Sequence, residues 1–561
     1  MDKKLSKILF GLLVVIALNG GVRQAIAPIV ENTITLVIPT VNAQAPPWAD
    51  GFGKSATGGK GGEVKFITNL NNSGSGSLRE ALLASGDRIL VFRVSGTINL
   101  TSSLTVNNGN VTIAGETAPG QGIQITFNNA WIQFQCSNVI IRHVRFRSST
   151  GSSQSQLRLM ANGEHQNIII DHCSFAHPNP DEMAISIEGS GTGNIPQYSN
   201  ITISNCIFGE AYRGVLQYKG HDHVTYYRNF FYSVYQRSPE ANRPIYQNSN
   251  TISFEAINNL WHNSYHFTIQ AQEGSRVTAI GNKRTGTSGV ANSSATQLID
   301  FNVGAGPSEG VPANSYLYAN DNLNLIGPLY DGATASHLEG TRYQTSNITG
   351  DKILPVADIN NMLPTIGAFW WNRDSHDQRF IDHYLNNTGS RGPFTGTPDN
   401  LDGGTAYTDT DNDGMEDSWE TSNFGDLSQD NNDDDDSDGY TNLEEFLWHR
   451  AQDGESGGTG SAPYIILLGG STINLVVGQD YVEYDATAND SEDGVLTDNI
   501  VITGSVDTDT VGTYYKYYNV EDSDGNDAEQ LVRTIIVSPP PFTPGPSKGK
   551  WINKNVLFTL D

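Results

Sequence analysis

Short apolar runs that begin with a polar residue recur along the first two thirds of this 561-residue chain. Val, Ile and Thr alternate with other residues within each run, which is typical of β-strands. Seven runs begin at Asn110, Asn138, Asn167, Asn200, His223, Asn250 and Arg276. Their starts lie 28, 29, 33, 23, 27 and 26 residues apart. A repeat of this length predicts a solenoid, because each unit buries its apolar face only against its neighbours.

A parallel β-helix fits this repeat better than the other solenoids do. Propeller blades need about 40 residues each, and the leucine framework of leucine-rich repeats is absent. Second runs at Asn205, Asn229 and Asn258 supply a further strand for each coil. The repeated Asn residues are predicted to be turn residues or members of an internal amide ladder. We therefore expect a mainly β chain with Val, Ile and Phe stacked inside and a long groove suited to an extended polymer.

Charge and cysteine content narrow the functional classes. The chain has 33 Lys and Arg residues against 61 Asp and Glu residues, which gives a formal net charge of −28. This balance argues against nucleic acid as a partner, because phosphate binding needs a basic surface. Cys136, Cys173 and Cys206 are too few for a disulfide framework. Their apolar surroundings favour buried thiols, with one disulfide and a spare thiol as the alternative.

The N-terminus has the pattern of an export signal. A basic segment at residues 2–7 precedes an apolar stretch at residues 8–18 that is too short to span a bilayer comfortably. An Ala-x-Ala sequence ends at Ala45, although its distance from the apolar stretch leaves an uncleaved anchor as the alternative. We expect residues 1–45 to be a signal peptide. The remaining protein is then secreted or held at the cell surface, monomeric and without a membrane span.

Six motifs of the solenoid resemble those of secreted pectate lyases. They occupy residues 51–62 (GFGKSATGGKGG), 67–81 (ITNLNNSGSGSLREA), 112–120 (TIAGETAPG), 138–142 (NVIIR), 170–175 (IDHCSF) and 237–239 (RSP). Their order and spacing are similar to those of the family 1 polysaccharide lyases that include the probable pectate lyase C proteins. The resemblance implies that residues 46–395 form a right-handed parallel β-helix. It also implies action on polygalacturonate by calcium-assisted β-elimination.

The same resemblance assigns roles to individual residues. β-Elimination needs a base at C5 of the uronate and a cation that neutralises its carboxylate. The Arg-x-Pro motif implies that Arg237 is the base, although arginine is an unusual one because it stays protonated in water. Its alternative role is to pair with a substrate carboxylate. The residues expected to bind substrate carboxylates are Arg213, Lys219 and Arg243, with Arg228 as a further nearby cation and tyrosines between them.

An acidic pair, Asp181 and Glu182, is where the family holds calcium in its groove. Members carry a further Asp on the preceding coil, where this chain has Gln-Leu-Arg-Leu at residues 156–159. Either fewer protein ligands hold the ion, or Arg158 replaces a cation, or the substrate has changed, or activity is lost. Asp171 and His172 directly follow a buried run, and we interpret them as structural.

An acidic segment at residues 402–452 contains two loops of the EF-hand pattern. Such loops bind calcium through positions 1, 3, 5, 7, 9 and 12, with Gly at position 6 for the sharp turn. The predicted ligands of the first loop are Asp409, Asp411, Asp413, the Met415 carbonyl, Asp417 (through water) and Glu420. Those of the second loop are Asp434, Asp436, Asp438, Tyr440, Asn442 and Glu445. We expect a structural calcium-binding segment, with a disordered acidic linker as the alternative.

The C-terminal part is predicted to be a smaller β module. Strand-like runs separated by turn residues at 461–538 favour a β-sandwich. Its sequence resembles bacterial Ig-like domains of cell-surface proteins, and we expect the module to be either a spacer or a weak carbohydrate binder. Residues 539–561 begin with a Pro-rich run and are expected to be a linker and tail.

The whole pattern favours a secreted pectate lyase-like enzyme with calcium as cofactor and an acidic polysaccharide as substrate. A glycoside hydrolase on the same fold needs carboxylates on both sides of the scissile bond, and only Asp181 and Glu182 are eligible. A noncatalytic polyuronate-binding or adhesion protein is the other alternative. The absence of an Asp near Gln156 favours it slightly.

Overall fold

The computed structural model describes residues 14–17, 22–25, 29–30, 33–34, 46, 48–148, 155–178, 183–189, 198–218, 221–242, 252–266, 268–272, 275–287, 297–302, 315–330, 332–390, 397–453, 463–467, 472–483, 486–490, 494–523, 525–528 and 530–539. Three parallel sheets form the body of the protein, and successive coils add one strand to each sheet. We name them sheets A, B and C in the order in which a coil visits them. The predicted parallel β-helix is therefore confirmed.

Sheet A has ten strands: Glu63–Ile67, Arg88–Phe92, Val111–Ala114, Val139–Arg142, His165–Asp171, Tyr198–Ser204, Asp222–Tyr227, Ile252–Ile257, Ser275–Ile280 and Tyr316–Asn320. Sheet B has nine: Gly96–Leu100, Ile123–Phe127, Val144–Ser148, Ser174–Ala176, Ile207–Gly209, Phe230–Tyr232, Leu260–His262, Lys283–Thr285 and Leu323–Asn324. Sheet C has eight: Leu104–Val106, Ile132–Phe134, Leu157–Ala161, Met183–Gly189, Arg213–Tyr218, Glu240–Asn242, Ile269–Gln272 and Ile299–Asn302.

The repeated asparagines have both of the predicted roles. At the entrance to sheet A, Asn110 and Asn138 have φ values of 50° and 61°, a left-handed conformation that Asn tolerates better than most residues. Between sheets A and B, buried amides form a ladder in which Asn259 Nδ2 donates to Asn282 Oδ1 at 3.1 Å, and Asn282 Nδ2 to Asn322 Oδ1 at 2.9 Å. Each ladder bond joins neighbouring coils, so the amides hold the register of the stack.

Aromatic side chains form a column through the core behind sheet B. The column consists of Phe127, Phe146, Phe175, Phe208, Phe231 and Trp261, with successive ring centroids 6.3, 4.7, 5.1, 4.7 and 5.4 Å apart. Strand register places one ring directly over the next from Phe146 to Trp261. Burial of such large rings is a major source of stability, and their contacts fix how far apart the coils lie.

The three cysteines are buried free thiols, as the sequence favoured. The Cys206 thiol lies 3.0 Å from the carbonyl oxygen of Ser204, and the Cys173 N–H lies 3.4 Å from the Cys206 sulfur. Burial raises the pKa of the Cys136 thiol to about 11. These groups therefore pack as small apolar side chains and are poor nucleophiles.

Short helices cover the ends and flanks of the solenoid. The α-helices of this part are Leu78–Leu83, Gly332–Ala335 and Ser375–Leu385, and the 3₁₀ helices are Phe52–Ser55, Gly115–Thr117, Gly350–Lys352 and Val356–Thr365. Helix Ser375–Leu385 packs Phe380 and Tyr384 on the outer side of sheet B, against Phe230. Its N-cap residue, Asp374, accepts hydrogen bonds from the Asp377 N–H and from the buried Arg147.

The acidic segment packs on the outer face of sheet A. Each of its loops leads into one helix, Asp417–Phe424 or Asn442–Asp453. Met415, Trp419, Leu443, Phe446 and Leu447 bury themselves against Ile89, Val91 and Ala114 of sheet A. The loops are thus part of the same packed body as the solenoid.

The C-terminal module contains two small sheets. Its strands are Tyr464–Leu467, Thr472–Val476, Ala486–Asp490, Gly494–Val495, Val501–Thr503, Gly512–Asn519 and Leu531–Ser538, and Thr497–Asn499 is a 3₁₀ helix. The first, third and fourth strands form one sheet and the others form the second. One apolar cluster joins Ile465 and Ala488 of the first sheet to Tyr518 of the second, and another contains Leu475, Ile535 and Val537 of the second sheet. The predicted tail after residue 539 lies outside the described residues.

The predicted signal segment lies mostly outside the described residues. Within it, Val14–Ala17 pairs antiparallel with Val22–Ala25, and Ile29–Val30 pairs with Thr33–Ile34. Among the described residues, no helix has the length and apolar character needed to cross a membrane.

Candidate active site and calcium loops

The outer face of sheet C carries a column of mostly polar side chains. One residue from each coil occupies the same register: Thr105, Gln133, Arg158, Ser186, Leu216, Glu240, Gln270 and Asp300. These positions alternate with core residues such as Leu157 and Leu159. The alternation follows from the two-residue period of a strand, which sends neighbouring side chains to opposite faces. Polar side chains from successive coils are thereby aligned on one surface.

Arg237 lies at the edge of this surface, just before strand Glu240–Asn242. Its side chain is 22% exposed, and its Nε lies 3.0 Å from Oε2 of Glu240. Its Nη1 lies 3.7 Å from the sulfur of Met183, which is two coils away. Met183 directly follows Asp181 and Glu182 in the sequence, and those two residues lie outside the described residues.

Arg213 lies between the Met183 and Arg237 coils. It pairs in register with Met183 on one side and with Gln236 on the other. Its guanidinium carbon lies 5.8 Å from the centre of the Tyr212 ring. Arg213 and Arg237 therefore stand on adjacent coils at the same edge of sheet C. We call Met183, Arg213, Arg237 and Glu240 the Arg237 site.

Several predicted residues cannot be placed in the Arg237 site. Lys219, Arg243, Asp181 and Glu182 lie outside the described residues, so their roles stay predictions. Arg228, which was grouped with the substrate cations, lies on the turn between sheets A and B. There it donates to the Lys352 carbonyl at 3.2 Å and covers the Tyr227 ring.

The sequence placed tyrosines among the arginines, but it did not identify Glu240 or the stacking of tyrosines in a column beside the Arg237 site. Tyr212, Tyr235 and Tyr265 stack on successive coils with centroids 4.5 and 4.7 Å apart. Each precedes a strand of sheet C, which places the column along the edge that carries Arg213 and Arg237. The signal for Glu240 was its position three residues after Arg237, but only the strand register shows that it faces outward.

The described part of sheet C does not fit a calcium ion held by three protein carboxylates. Arg158 stands where the family resemblance expects the additional Asp, and its neighbours in the column are Gln133 and Ser186. Its guanidinium carbon lies 5.0 Å from the centre of the Trp131 ring. A guanidinium supplies positive charge but no ligand oxygen. The sheet thus carries a fixed cation at this position.

The Asp171–His172 pair is part of a buried network. Asp171 accepts hydrogen bonds from Ser204 at 2.7 Å and Asn205 at 2.9 Å, and it lies 2.7 Å from Nδ1 of His172. Arg142 completes its surroundings and bridges to Glu116 at 2.9 Å. Despite burial, these hydrogen bonds and positive charges lower the pKa of Asp171 well below its usual value. The pair is structural, as interpreted from its position after a strand.

The first acidic loop has the geometry of a cation site. Asp409, Asp411 and Asp413 each offer an oxygen within 4.8 Å of the others. The Gly414 N–H donates to Asp409 at 2.9 Å, and the Met415 N–H donates to Asp413 at 2.8 Å. Gly414 has a φ of 105°, which requires glycine at this sharp turn. Backbone N–H groups thus orient the Asp409 and Asp413 carboxylates, and an Asp411 oxygen lies close to both.

Unsatisfied carboxylate oxygens in this loop fit a bound cation. Both Glu420 oxygens and Oδ2 of Asp413 are buried without a hydrogen-bond partner among the described residues. Burial, with repulsion from the neighbouring Asp residues, raises the pKa of Glu420 to about 8 and that of Asp413 to about 7. Calcium prefers such oxygens and would satisfy them. The remaining predicted side-chain ligand of this loop, Asp417, accepts a hydrogen bond from the Thr410 N–H at 2.7 Å.

The second loop repeats the arrangement closer to solvent. Asp434, Asp436 and Asp438 again offer oxygens within 4.8 Å of one another. Gly439 has a φ of 99°, and its N–H donates to Asp434 at 3.0 Å. Burial and the nearby Asp residues raise the pKa of Glu445 to about 7. At the other predicted positions, the Tyr440 N–H donates to Asp438, and Asn442 Oδ1 accepts from the Asp435 N–H.

A positively charged side chain of the solenoid pairs with each loop. Arg93 lies between the rings of Phe66 and Tyr407, at 4.7 and 4.4 Å, and forms an ion pair with Asp409 of the first loop. Lys60 donates to the Gly439 carbonyl of the second loop at 2.7 Å and pairs with Glu444, also at 2.7 Å. The loops and the first coils of the solenoid are therefore linked by charge as well as by apolar packing.

Known proteins with similar sequences identify the solenoid. The chain is 30% identical over 404 residues to the probable pectate lyase C of Aspergillus terreus, covering 67% of this chain and 86% of that protein. It is 29% identical over 426 residues to the probable pectate lyase C of Emericella nidulans, covering 71% and 88%. The chain belongs to the pectate lyase family. The family that the six sequence motifs predict is therefore confirmed, and the protein is a polysaccharide lyase.

Two further similarities concern the fold and the C-terminal module. The jun a 1 allergen of cedar pollen aligns with this pectate lyase family member over 57% of this chain and 92% of the allergen, at 20% identity and a TM-score of 0.43. Residues 465–537 match the family model of the bacterial surface protein Ig-like domain. The predicted Ig-like domain is thus confirmed.

Proposed function

We propose that the protein is a secreted lyase that cleaves polygalacturonate or a related polyuronate by β-elimination, with Arg237 as the base. The observation that carries this proposal is the position of Arg237. Its guanidinium is partly exposed at the edge of sheet C, contacts Met183 and lies one coil from Arg213. The sequence similarity of the chain to the probable pectate lyase C proteins supports the same activity.

The proposed reaction removes a proton from C5 of a uronate residue. Arg237 in its neutral guanidine form accepts this proton and becomes a guanidinium, the C5–H electron pair forms a C4–C5 double bond, and the C4–O bond to the next sugar breaks. The departing oxygen takes a proton from solvent. The negative charge that develops at the C5 carboxylate needs nearby positive charge. Arg213 and Arg158 supply fixed cations on the same sheet, and Lys219 and Arg243 are proposed to bind further carboxylates.

Calcium-assisted elimination at Asp181 and Glu182 stays a prediction, and we assign no step to a metal there. A cation in that place would neutralise the substrate carboxylate. In contrast, the two acidic loops have oxygen sets that suit calcium, and we propose that they hold structural ions. Asp409, Asp413 and Glu420 would hold one ion, and Asp434, Asp438 and Glu445 the other, together with the remaining predicted ligands.

The proposed function is tested by the ultraviolet absorbance of unsaturated uronate products. We expect polygalacturonate to yield this absorbance with the native protein, and Arg237→Ala and Arg237→Lys to lower the rate by at least about 100-fold, as for loss of a general base. Arg228→Ala is the matched control, because it removes an arginine from another turn of the solenoid. Reducing ends without absorbance would indicate a hydrolase. Binding without either product would indicate a noncatalytic protein.

A further inference from the structure

A pocket of about 410 Å³ lies between the two helices of the acidic segment. One wall is the helix Asp417–Phe424, and the other is the helix Asn442–Asp453. A volume of this size is within the range of roughly 300–1,000 Å³ that small-ligand sites occupy in proteins. The segment packs on sheet A, whereas Arg237 lies at the edge of sheet C. The pocket is therefore separate from the Arg237 site.

Three aromatic side chains line this pocket. Trp419 forms its buried floor and meets Phe424 edge to face, with centroids 5.4 Å apart at 85°. Trp448 stands on the opposite helix and is 36% exposed. Trp448 shares one helix face with Glu445 and Gln452, three and four residues away, because such spacings align side chains on a helix. The pocket thus offers large ring surfaces, one of which is open to solvent.

Hydrogen-bonding groups surround the rings. Asn423 and Gln452 bring amides, His449 brings an imidazole, and Asp436 and Glu445 bring carboxylates from the second loop. A sugar combines apolar C–H faces, which pack on aromatic rings, with hydroxyls that bond amides and carboxylates. Mixed aromatic and polar lining of this kind suits a saccharide better than it suits a purely apolar ligand.

Charge selects the kind of saccharide. The second loop carries six carboxylates, of which Glu444 pairs with Lys60, and Asp435, Asp436 and Glu445 line the pocket. One calcium ion in the loop carries two positive charges, so the rim stays negative and repels a polyuronate. An ion in the loop would engage Asp436 and Glu445, which leaves amides and imidazole as the main polar groups. These groups can both donate hydrogen bonds to sugar hydroxyls and accept hydrogen bonds from them.

We propose that this pocket binds a neutral saccharide unit, which would hold the enzyme on neutral polysaccharide next to its acidic substrate. The site goes beyond the proposed lyase activity and does not depend on it. Since the pocket is remote from Arg237, removing its exposed ring should leave cleavage of soluble polygalacturonate unchanged.

The test is isothermal titration calorimetry on the full chain saturated with calcium. The probes are neutral tetrasaccharides of galactose, arabinose, xylose and glucose, with tetragalacturonate and a glucosamine tetramer as charged probes. We expect at least one neutral probe to bind, and Trp448→Ala to weaken it by about tenfold or more, the usual effect of losing a central aromatic contact. Gln452→Ala should weaken it less. Tyr515→Ala, which removes an exposed ring from the Ig-like module, should have no effect.

Three results would overturn the proposal. They are no binding by any neutral probe, binding by a charged probe alone, or equal affinity in the native protein and Trp448→Ala. Because Trp448 is partly exposed, we expect its substitution to leave the thermal midpoint unchanged. If the midpoint falls strongly, the affinity of Gln452→Ala for the neutral probe decides the test instead. Loss of polygalacturonate cleavage by Arg237→Ala, with saccharide binding retained, would show that the two sites are independent.

Discussion

The Nε atom of Arg237 lies 3.0 Å from a carboxylate oxygen of Glu240, the outward-facing residue of the next strand. The carboxylate fixes the orientation of the guanidinium. It also competes with any substrate carboxylate for the same cation. If Arg237 is to accept a proton from the substrate, this contact has to loosen when the polysaccharide binds. In the proposed reaction, Glu240 therefore positions Arg237 and competes with the substrate for it.

Replacing Glu240 with Gln is expected to lower KM for polygalacturonate about two- to fivefold, because a negative charge near the anionic substrate is removed. Steady-state kinetics on polygalacturonate measure this effect. Asp300→Asn is the matched control, two strands further along the same column. An unchanged KM would contradict a role for Glu240.

Calcium is expected to remove a pH dependence of stability. In the ion-free protein, burial and mutual repulsion raise the pKa of Glu420 to about 8 and those of Asp413 and Glu445 to about 7. The folded protein then binds protons that the unfolded chain has released, so this stability is complete below about pH 4 and is lost as pH rises through 7 and 8. The thermal midpoint should fall by roughly 5 °C between pH 5 and 8 without calcium.

Saturating calcium should flatten this dependence, because the ion takes the place of the protons. Thermal unfolding of dialysed protein, with and without added calcium at each pH, measures the difference. Glu420→Gln should remove the part of the dependence centred near pH 8. Identical pH profiles with and without calcium would contradict binding at the loops.

Arg93 is expected to matter more for the ion-free protein than for the calcium-loaded one. Without an ion, Arg93→Ala leaves the buried Asp409 carboxylate without its cation, which should cost about 1–3 kcal/mol of unfolding free energy. Calcium would compensate part of that loss. Denaturant titrations with and without calcium measure it. Lys65→Ala, which breaks an exposed pair with Glu63, should change stability by less than about 1 kcal/mol in both conditions. Equal losses for Arg93→Ala in both conditions would show that the pair and the ion are independent.

The repetitive features of the molecule were predictable from the sequence because they are local. The alternating apolar residues after Asn138 and Asn167 predict the strands that form there, and the spacing between such runs predicts the length of one coil. The loops at Asp409 and Asp434 were found because their ligand spacing lies within twelve residues.

Contacts between distant parts of the chain could not be predicted. Arg93 and Asp409 are 316 positions apart in the chain. Nothing in the sequence around either residue indicates that the acidic segment packs on sheet A. Arg228 was grouped with Arg213 because they are close in sequence, yet the chain passes from sheet C through sheet A within that distance. Sequence proximity in a solenoid is therefore a poor guide to which side of the molecule a residue faces.

The packing of Trp419 and Phe446 on the first strands of sheet A has a consequence for how the molecule is built. A stack of coils is most vulnerable at its terminal rung, which has a neighbour on one side only. Here a segment made some 300 residues later covers the outer face of the first strands, and Arg93 and Lys60 pair with its carboxylates. A nascent chain that stops before this segment would leave Val64, Phe66, Ile89 and Val91 exposed on that face, and we expect it to self-associate until the remainder is synthesised.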